Sequence, residues 1–342
     1  MSLTNHGYTE EYYGNIIDDY SYVKFEMDHF DFGLWNLEPS ELELRFLCHD
    51  GAREYARVAK DRRVVTTGFG MSGYPHAGTL SQIMKIVKIQ QTGELCQIVL
   101  GDLDAYNGKQ TSLNKARELA HRYTEFITKC GFDPDNGIIR PQYDNVSCLR
   151  TMYLLANYTS DRDFTEAEED LHEHYTDLGL VDGNMTFRRR CSLALMAADF
   201  IDLAQNYDAV LVMLGIDEHK YVRFTRNVAA RFDGNTQLSG INLSAIYTRM
   251  ISGFHGHPKM SKSIPGSGID VTSTPDEVAA LIRADKVHNP DLSPTYQLAY
   301  QMFLGNYEDT YRWRIVCAEQ SSAWNSVKED VIATIVELIE AW

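Results

Sequence analysis

Lys259-Met260-Ser261-Lys262-Ser263 puts two ammonium groups and two hydroxyls on one glycine-flanked stretch. A loop carrying paired lysines can close over a polyphosphate and stabilise the charge that develops on a leaving pyrophosphate. The plain alternative is a solvated basic loop. Upstream, Gly68, Gly70 and Gly73 follow an apolar run, and Gly78 opens a helical pattern. Backbone N–H groups at a helix start, reinforced by the helix dipole, suit phosphate; an unliganded glycine turn uses the same residues. Asp199 lies one helical turn from apolar residues, where the plain reading is a helix-surface or capping acid. His255 and His257 are two metal-ligand types side by side, fewer than a metal site needs, and read as loop residues. Arg188-Arg189-Arg190 is the densest basic run, suited to RNA phosphate or to a plain helix surface.

Composition bounds what such groups can serve. The chain has 342 residues, 44% hydrophobic and 23% charged, enough for a large core and two domains. No apolar run reaches membrane-span length, and the opening MSLTNHGYTEEYYGN is too polar and acidic for a signal peptide. The six cysteines form no C-x-x-C pair, which argues against a zinc or iron–sulfur site and for a reducing cytoplasm. The formal charge of −16 leaves any RNA contact to a local basic patch.

The elements that must position these groups follow from hydrophobic patterning. RVVTT at 63–67 predicts a buried strand running into Gly68, and a helix follows from about Gly78 to Gln91, stopped by Gly93. CQIVL at 96–100 predicts the next strand, 112–130 a second helix, and 137–140 a third strand. Residues 145–185 read as an acidic helical insertion. A helix carrying Leu193, Met196, Ala197 and Phe200 comes next, then the apolar strand AVLVML at 209–214 ending at Gly215, then a helix over 219–232. From Thr274 the pattern is helical to the end. This β-α-β alternation predicts a parallel sheet covered by helices, with ligands beyond the carboxyl ends of its strands.

Pro75-His76-Ala77-Gly78-Thr79 resembles the HIGH motif of class I aminoacyl-tRNA synthetases, and Lys259–Ser263 is identical to the KMSKS signature of that class. Within the class, Ser72-Gly73, Met196-Ala197-Ala198-Asp199, Gly215-Ile216-Asp217-Glu218 with Arg223–Ala229, and Arg249-Met250-Ile251-Ser252 resemble the tyrosyl/tryptophanyl subgroup, most of all the tryptophanyl enzymes. The resemblance implies a Rossmann-like doubly wound α/β sheet over 61–270, with 145–185 as a connective and dimer-forming insertion. It implies a shortened helical, anticodon-binding-like region over 271–342, and leaves 1–60 as an N-terminal extension.

It also implies roles. His76, Lys259 and Lys262 would act on the phosphates with Mg²⁺. Gly68, Gly70, Gly78 and Thr79 would cradle ATP from the first turn. Gly215 and Asp217 would meet the ribose, Met250 and Ile251 the adenine through backbone groups, and Ser261 and Ser263 the phosphate end. Thr66, Asp104, Ser192, Met196, Asp199 and Glu218 would line the amino-acid pocket. Here Asp199 would read the substrate side chain, and Asp104 or Glu218 would hold its ammonium. Thr66, Gly70, Asp104, Ser192 and Glu218 depart from the tryptophanyl pattern. Implied partners are tRNA and a second copy of the chain. Three alternatives stay open: tyrosyl specificity, a paralogue serving a non-tRNA acceptor, and a non-catalytic descendant that binds RNA or protein.

Overall fold

The computed structural model describes residues 8–25, 32–167, 185–231, 238, 240–257, 259–260 and 267–342. Ser261, Lys262, Ser263 and the latter part of the 145–185 insertion lie outside the described residues. Six strands form one sheet: β1 (Cys48–Asp50), β2 (Arg63–Gly70), β3 (Cys96–Gly101), β4 (Ile138–Pro141), β5 (Ala209–Gly215) and β6 (Asn242–Thr248). Their spatial order is β1-β6-β5-β2-β3-β4. Every neighbouring pair is parallel except β1 with β6.

Alternation along the strands shows why both faces are covered. Val65, Leu211 and Met213 enter one core, while Val64, Val210, Val212 and Leu214 enter the other. Strands buried on both faces read as continuous apolar runs, which makes β2, β3 and β5 visible in the sequence. Helices Ala77–Gln90 and Leu113–Lys129 cover the first face, and helices Glu10–Tyr20 and His219–Ala229 the second. This is the expected Rossmann-like doubly wound sheet.

The sheet departs from a wholly parallel one at β1. The leading segment supplies this edge strand, pairing Cys48 with Tyr247 and Asp50 with Ala245. Strand β6 has no counterpart in the sequence reading, because Asn242, Ser244 and Thr248 interrupt its apolar run. Helix Asp102–Lys109 has none either, since its start reads as a turn and Gly108 breaks its body.

The C-terminal helices Pro275–Ala284, Pro294–Gln301, Tyr307–Glu319 and Ser322–Ala341 share the first core, through Val278, Leu298, Trp324 and Val331. A Thr274–Glu277 capping box starts the first of them, and Ser293 caps the second. Among the described residues no helix is long and apolar enough to cross a membrane.

At the base of the sheet Arg63 and Glu94 form a buried two-point ion pair, with N···O distances of 2.5 and 3.0 Å. Tyr55 Oη donates to the same carboxylate at 2.8 Å. Removing one partner of such a pair leaves an uncompensated buried charge. Glu94→Ala should therefore lower the unfolding free energy by about 3–5 kcal/mol in urea denaturation. A loss under about 1 kcal/mol, typical of an exposed pair, would contradict this reading of the pair.

Candidate active site

The chain leaves β2 toward β3 and β4, then returns to β5 on the other side of β2. Loops therefore depart in opposite directions above β2 and β5, which opens a crevice at their carboxyl ends. A cavity of about 280 Å³ lies there. Its lining unites Gly68 and Gly70 from β2, His76, Gly78 and Thr79 from the first helix turn, and Gly215, Asp217 and Glu218 beyond β5. Met250, Ile251 and Lys259 complete it from the loop after β6.

His76 is the N-cap of helix Ala77–Gln90. Its Nδ1 accepts from the N–H groups of Gly78 at 3.0 Å and Thr79 at 3.3 Å. A Cβ on Gly78 would lie 2.8 Å from the His76 ring, so the glycine makes room for the capping imidazole. Across the crevice, Lys259 Nζ donates to Asp217 Oδ2 at 2.5 Å, both side chains being nearly buried. The two groups expected to bind phosphate and ribose thus hold each other in this state. Gly215 is required beside them, since a Cβ there would meet Asp217 Oδ1 at 2.7 Å and Met250 Sδ at 3.0 Å.

The loop after β6 is pinned peptide by peptide. In the peptide joining 249 and 250, the carbonyl accepts from Gln301 Nε2 at 3.2 Å and the N–H donates to Tyr13 Oη at 3.1 Å. In the peptide joining 251 and 252, the carbonyl accepts from Met260 N–H at 3.1 Å and the N–H donates to Gln297 Oε1 at 2.6 Å. Between them, the Met250 carbonyl and the Ile251 N–H have no partner among the described residues. One acceptor beside one donor matches the amino group and ring nitrogen on the edge of adenine.

The residues expected to hold the amino acid form a second group, and of these only Glu218 lines the cavity. Thr66 is buried and accepts from Gln97 Nε2 at 3.1 Å. Asp104 lies beside Gly70, whose Cβ would be 3.9 Å from Asp104 Oδ2, so this carboxylate borders the crevice. Ser192 Oγ donates to the Asp104 carbonyl at 3.4 Å. Met196 is half-buried against the second core. Asp199 is buried, and Gln142 Nε2 donates to its Oδ2 at 2.6 Å. Its Oδ1 has no partner in hydrogen-bond geometry among the described residues. Burial pushes the Asp199 carboxyl up to about 7, against smaller downward effects of Gln142 and Arg140.

A family model for class I tRNA synthetases (W and Y) matches residues 59–312. The chain belongs to this family of synthetases. Among its relatives, the tryptophan–tRNA ligase of Thermoplasma volcanium is 27% identical over 52% of this chain and 41% of its own length. That of Aeropyrum pernix is 25% identical over 70% of this chain, the match taking in 63% of the relative. That of Methanopyrus kandleri is 24% identical over 94% of this chain and 91% of its own. Over the first two, the chain spans less than two thirds of the relative's length. The fold agrees with a tryptophanyl-tRNA synthetase crystal structure from Aeropyrum pernix (TM-score 0.76, 18% identity, 97% of this chain and 92% of that one). It agrees also with a tyrosyl-tRNA synthetase from Archaeoglobus fulgidus (TM-score 0.69, 18% identity, 88% and 96%).

Within this synthetase crevice the sequence reading missed several residues. Gln142 joins the two acidic positions, because its Oε1 accepts from Asp104 N–H at 3.0 Å while its Nε2 holds Asp199. Gln82, Lys109, Thr248 and Gln301 line the cavity. None lies in a motif, and only the docking of their elements brings them here. The arginine run faces its own chain: Arg188 donates to the Asn107 and Gly108 carbonyls, and Arg190 pairs with Asp161.

The Asp199 shift fixes a pH dependence. A carboxyl whose folded pKa lies above its ordinary 3.8 contributes stability below that value, and loses it as pH rises through about 7. At about 1.4 kcal/mol per unit, the loss is of order 4 kcal/mol. Asp199→Asn removes this term. The variant should gain in melting temperature over the wild type between pH 4 and 8, whereas parallel profiles would contradict the shift.

Proposed function

We propose that the chain activates tryptophan with ATP, releases pyrophosphate and transfers the aminoacyl group to tRNA. The observation that carries this reading is the meeting of His76, Gly78, Asp217 and Lys259 around one crevice. Segments far apart in sequence supply phosphate-facing, ribose-facing and leaving-group-facing groups at one switch point. In this reading the amino-acid carboxylate attacks the α-phosphorus of ATP, and the bond to pyrophosphate breaks. No protein nucleophile is needed, so catalysis is positioning and charge stabilisation. Asp217 takes the ribose hydroxyls once Lys259 turns to the phosphates, and Lys262 joins it there with Ser261 and Ser263. The Met250–Ile251 peptide takes adenine.

Among the described residues no cluster of three or more metal-ligating side chains occurs. Mg²⁺ would arrive with the triphosphate and share the charge that the lysines meet. Tryptophan is favoured over tyrosine by the ligases that the chain resembles over most of its length. The buried Asp199 Oδ1, without a hydrogen-bond partner among the described residues, is an acceptor suited to an indole N–H or a phenol O–H and so serves either substrate. Asp104, which borders the crevice, and Glu218, which lines it, would hold the substrate ammonium.

A homodimer is supported by exposed apolar side chains on adjoining helices. Val146, Tyr153 and Leu154 on helix Val146–Leu155, with Phe187 at the start of helix Phe187–Ile201, stand 44–82% exposed. Exposed apolar side chains of this kind suit a subunit interface. All six cysteines are free thiols, in keeping with a reducing cytoplasm. One observation favours the second reading, a paralogue with a non-tRNA acceptor: the densest arginine run is engaged within its own chain.

ATP–pyrophosphate exchange across the twenty amino acids, followed by charging of total tRNA, tests the proposal. Exchange with tryptophan and charging are expected. Exchange with tyrosine alone overturns the substrate, exchange without charging overturns the acceptor, and no exchange overturns the activity. Lys262→Ala should lose about 10²–10³ in exchange rate, the scale of one preorganised charge-stabilising group. Tyr153→Lys should shift the mass in solution from dimer to monomer; an unchanged mass would reject the helix Val146–Leu155 interface.

A further inference from the structure

Helix Ala77–Gln90 carries a lysine that its sequence pattern would leave on the surface. Lys85 is instead fully buried, at 0% exposure. Its amine donates to Gln301 Oε1 at 2.8 Å. Burial, reinforced by the Arg45 guanidinium, pushes this amine well below the usual lysine range. A buried amine facing an amide, with a like charge nearby, weakens a fold unless its hydrogen bond is used. Gln301 lines the cavity, and its Nε2 donates to the Arg249 carbonyl at 3.2 Å. That carbonyl belongs to the peptide whose N–H is held by Tyr13. Because Gln301 spends its oxygen on Lys85, its amide cannot flip without losing both bonds.

Building on the ATP reading above, we propose that Lys85 and Gln301 are positioning residues for adenine. Lys85 orients the Gln301 amide, the amide fixes the peptide between Arg249 and Met250, and that fixed peptide aims the Met250 carbonyl and Ile251 N–H at the base. Gln297, one helical turn before Gln301, does the same from the far side through Ser252 N–H. Helix Pro294–Gln301, from the C-terminal helical region, therefore grips both ends of the base-reading peptide, and Lys85 locks that grip to the helix that His76 caps.

The test compares ATP with purine riboside triphosphate, which lacks the 6-amino group, by calorimetric titration of the full chain. Wild type should prefer ATP by about tenfold, the worth of one good hydrogen bond. Lys85→Met keeps the apolar stem and removes the amine. It should bind ATP about tenfold more weakly, lose the preference for ATP, and leave the KM for tryptophan unchanged. Its melting temperature checks that the variant folds, since removing the amine leaves the Gln301 Oε1 without its donor. Gln301→Glu, which keeps the acceptor for Lys85 and loses the donor to Arg249, should show the same loss of preference and serves if Lys85→Met does not fold. A wild type that prefers ATP, with variants that prefer it equally, overturns this inference alone. A wild type that binds no ATP overturns the nucleotide reading and the inference with it.

Discussion

The site rests on a reversal of winding direction at β2. Once the chain has built β3 and β4 on one side and returned to β5 on the other, no crossover loop can close the gap above β2 and β5. The groups at that gap are what two parallel strands must expose at their ends: glycine turns, the first N–H groups of helices, and a short acidic turn after β5. In this state an ion pair between Lys259 and Asp217 spans the gap. Such a pair compensates two nearly buried charges and keeps both chemical groups at the crevice until a ligand supplies better partners.

Around this gap the protein fixes backbone and leaves little to side-chain chance. Peptides on either side of the Met250–Ile251 unit are bonded at both their N–H and C=O ends. The partners come from the N-terminal helix, the C-terminal helical region and the start of the lysine-bearing segment. The leading segment and the helical tail therefore hold the loop beside the crevice as well as forming layers of the core. A single glutamine holds the acidic group of the second cluster, where Gln142 links Asp104 to Asp199. The Asp199 carboxyl is buried and held by one amide, and its Oδ1 has no hydrogen-bond partner among the described residues.

Much of this is legible in the sequence where physics acts locally. Apolar runs reveal β2, β3 and β5, and glycines mark their ends. The two signature segments, read through their resemblance, mark both sides of the crevice at His76, Gly78 and Lys259. Strand β1 has three residues and β6 carries polar side chains, so neither shows a clear period. His76 as a helix cap is hidden because histidine is not among the usual capping residues. Lys85 and Gln301 lie 216 positions apart, and nothing in either helix alone marks them as partners. Thr66, expected as a substrate contact, accepts from Gln97 Nε2, a side-chain pairing between strands that spacing along one strand does not reveal.

The proposed chemistry turns on one exchange, a nucleotide replacing Lys259 on Asp217. A crystal structure of the chain with a non-hydrolysable ATP analogue tests it most directly. Ribose hydroxyls on Asp217, Lys259 moved to the phosphates, and the base on the Met250–Ile251 peptide are the predicted result. An analogue bound elsewhere, with the Lys259–Asp217 pair intact, would contradict it.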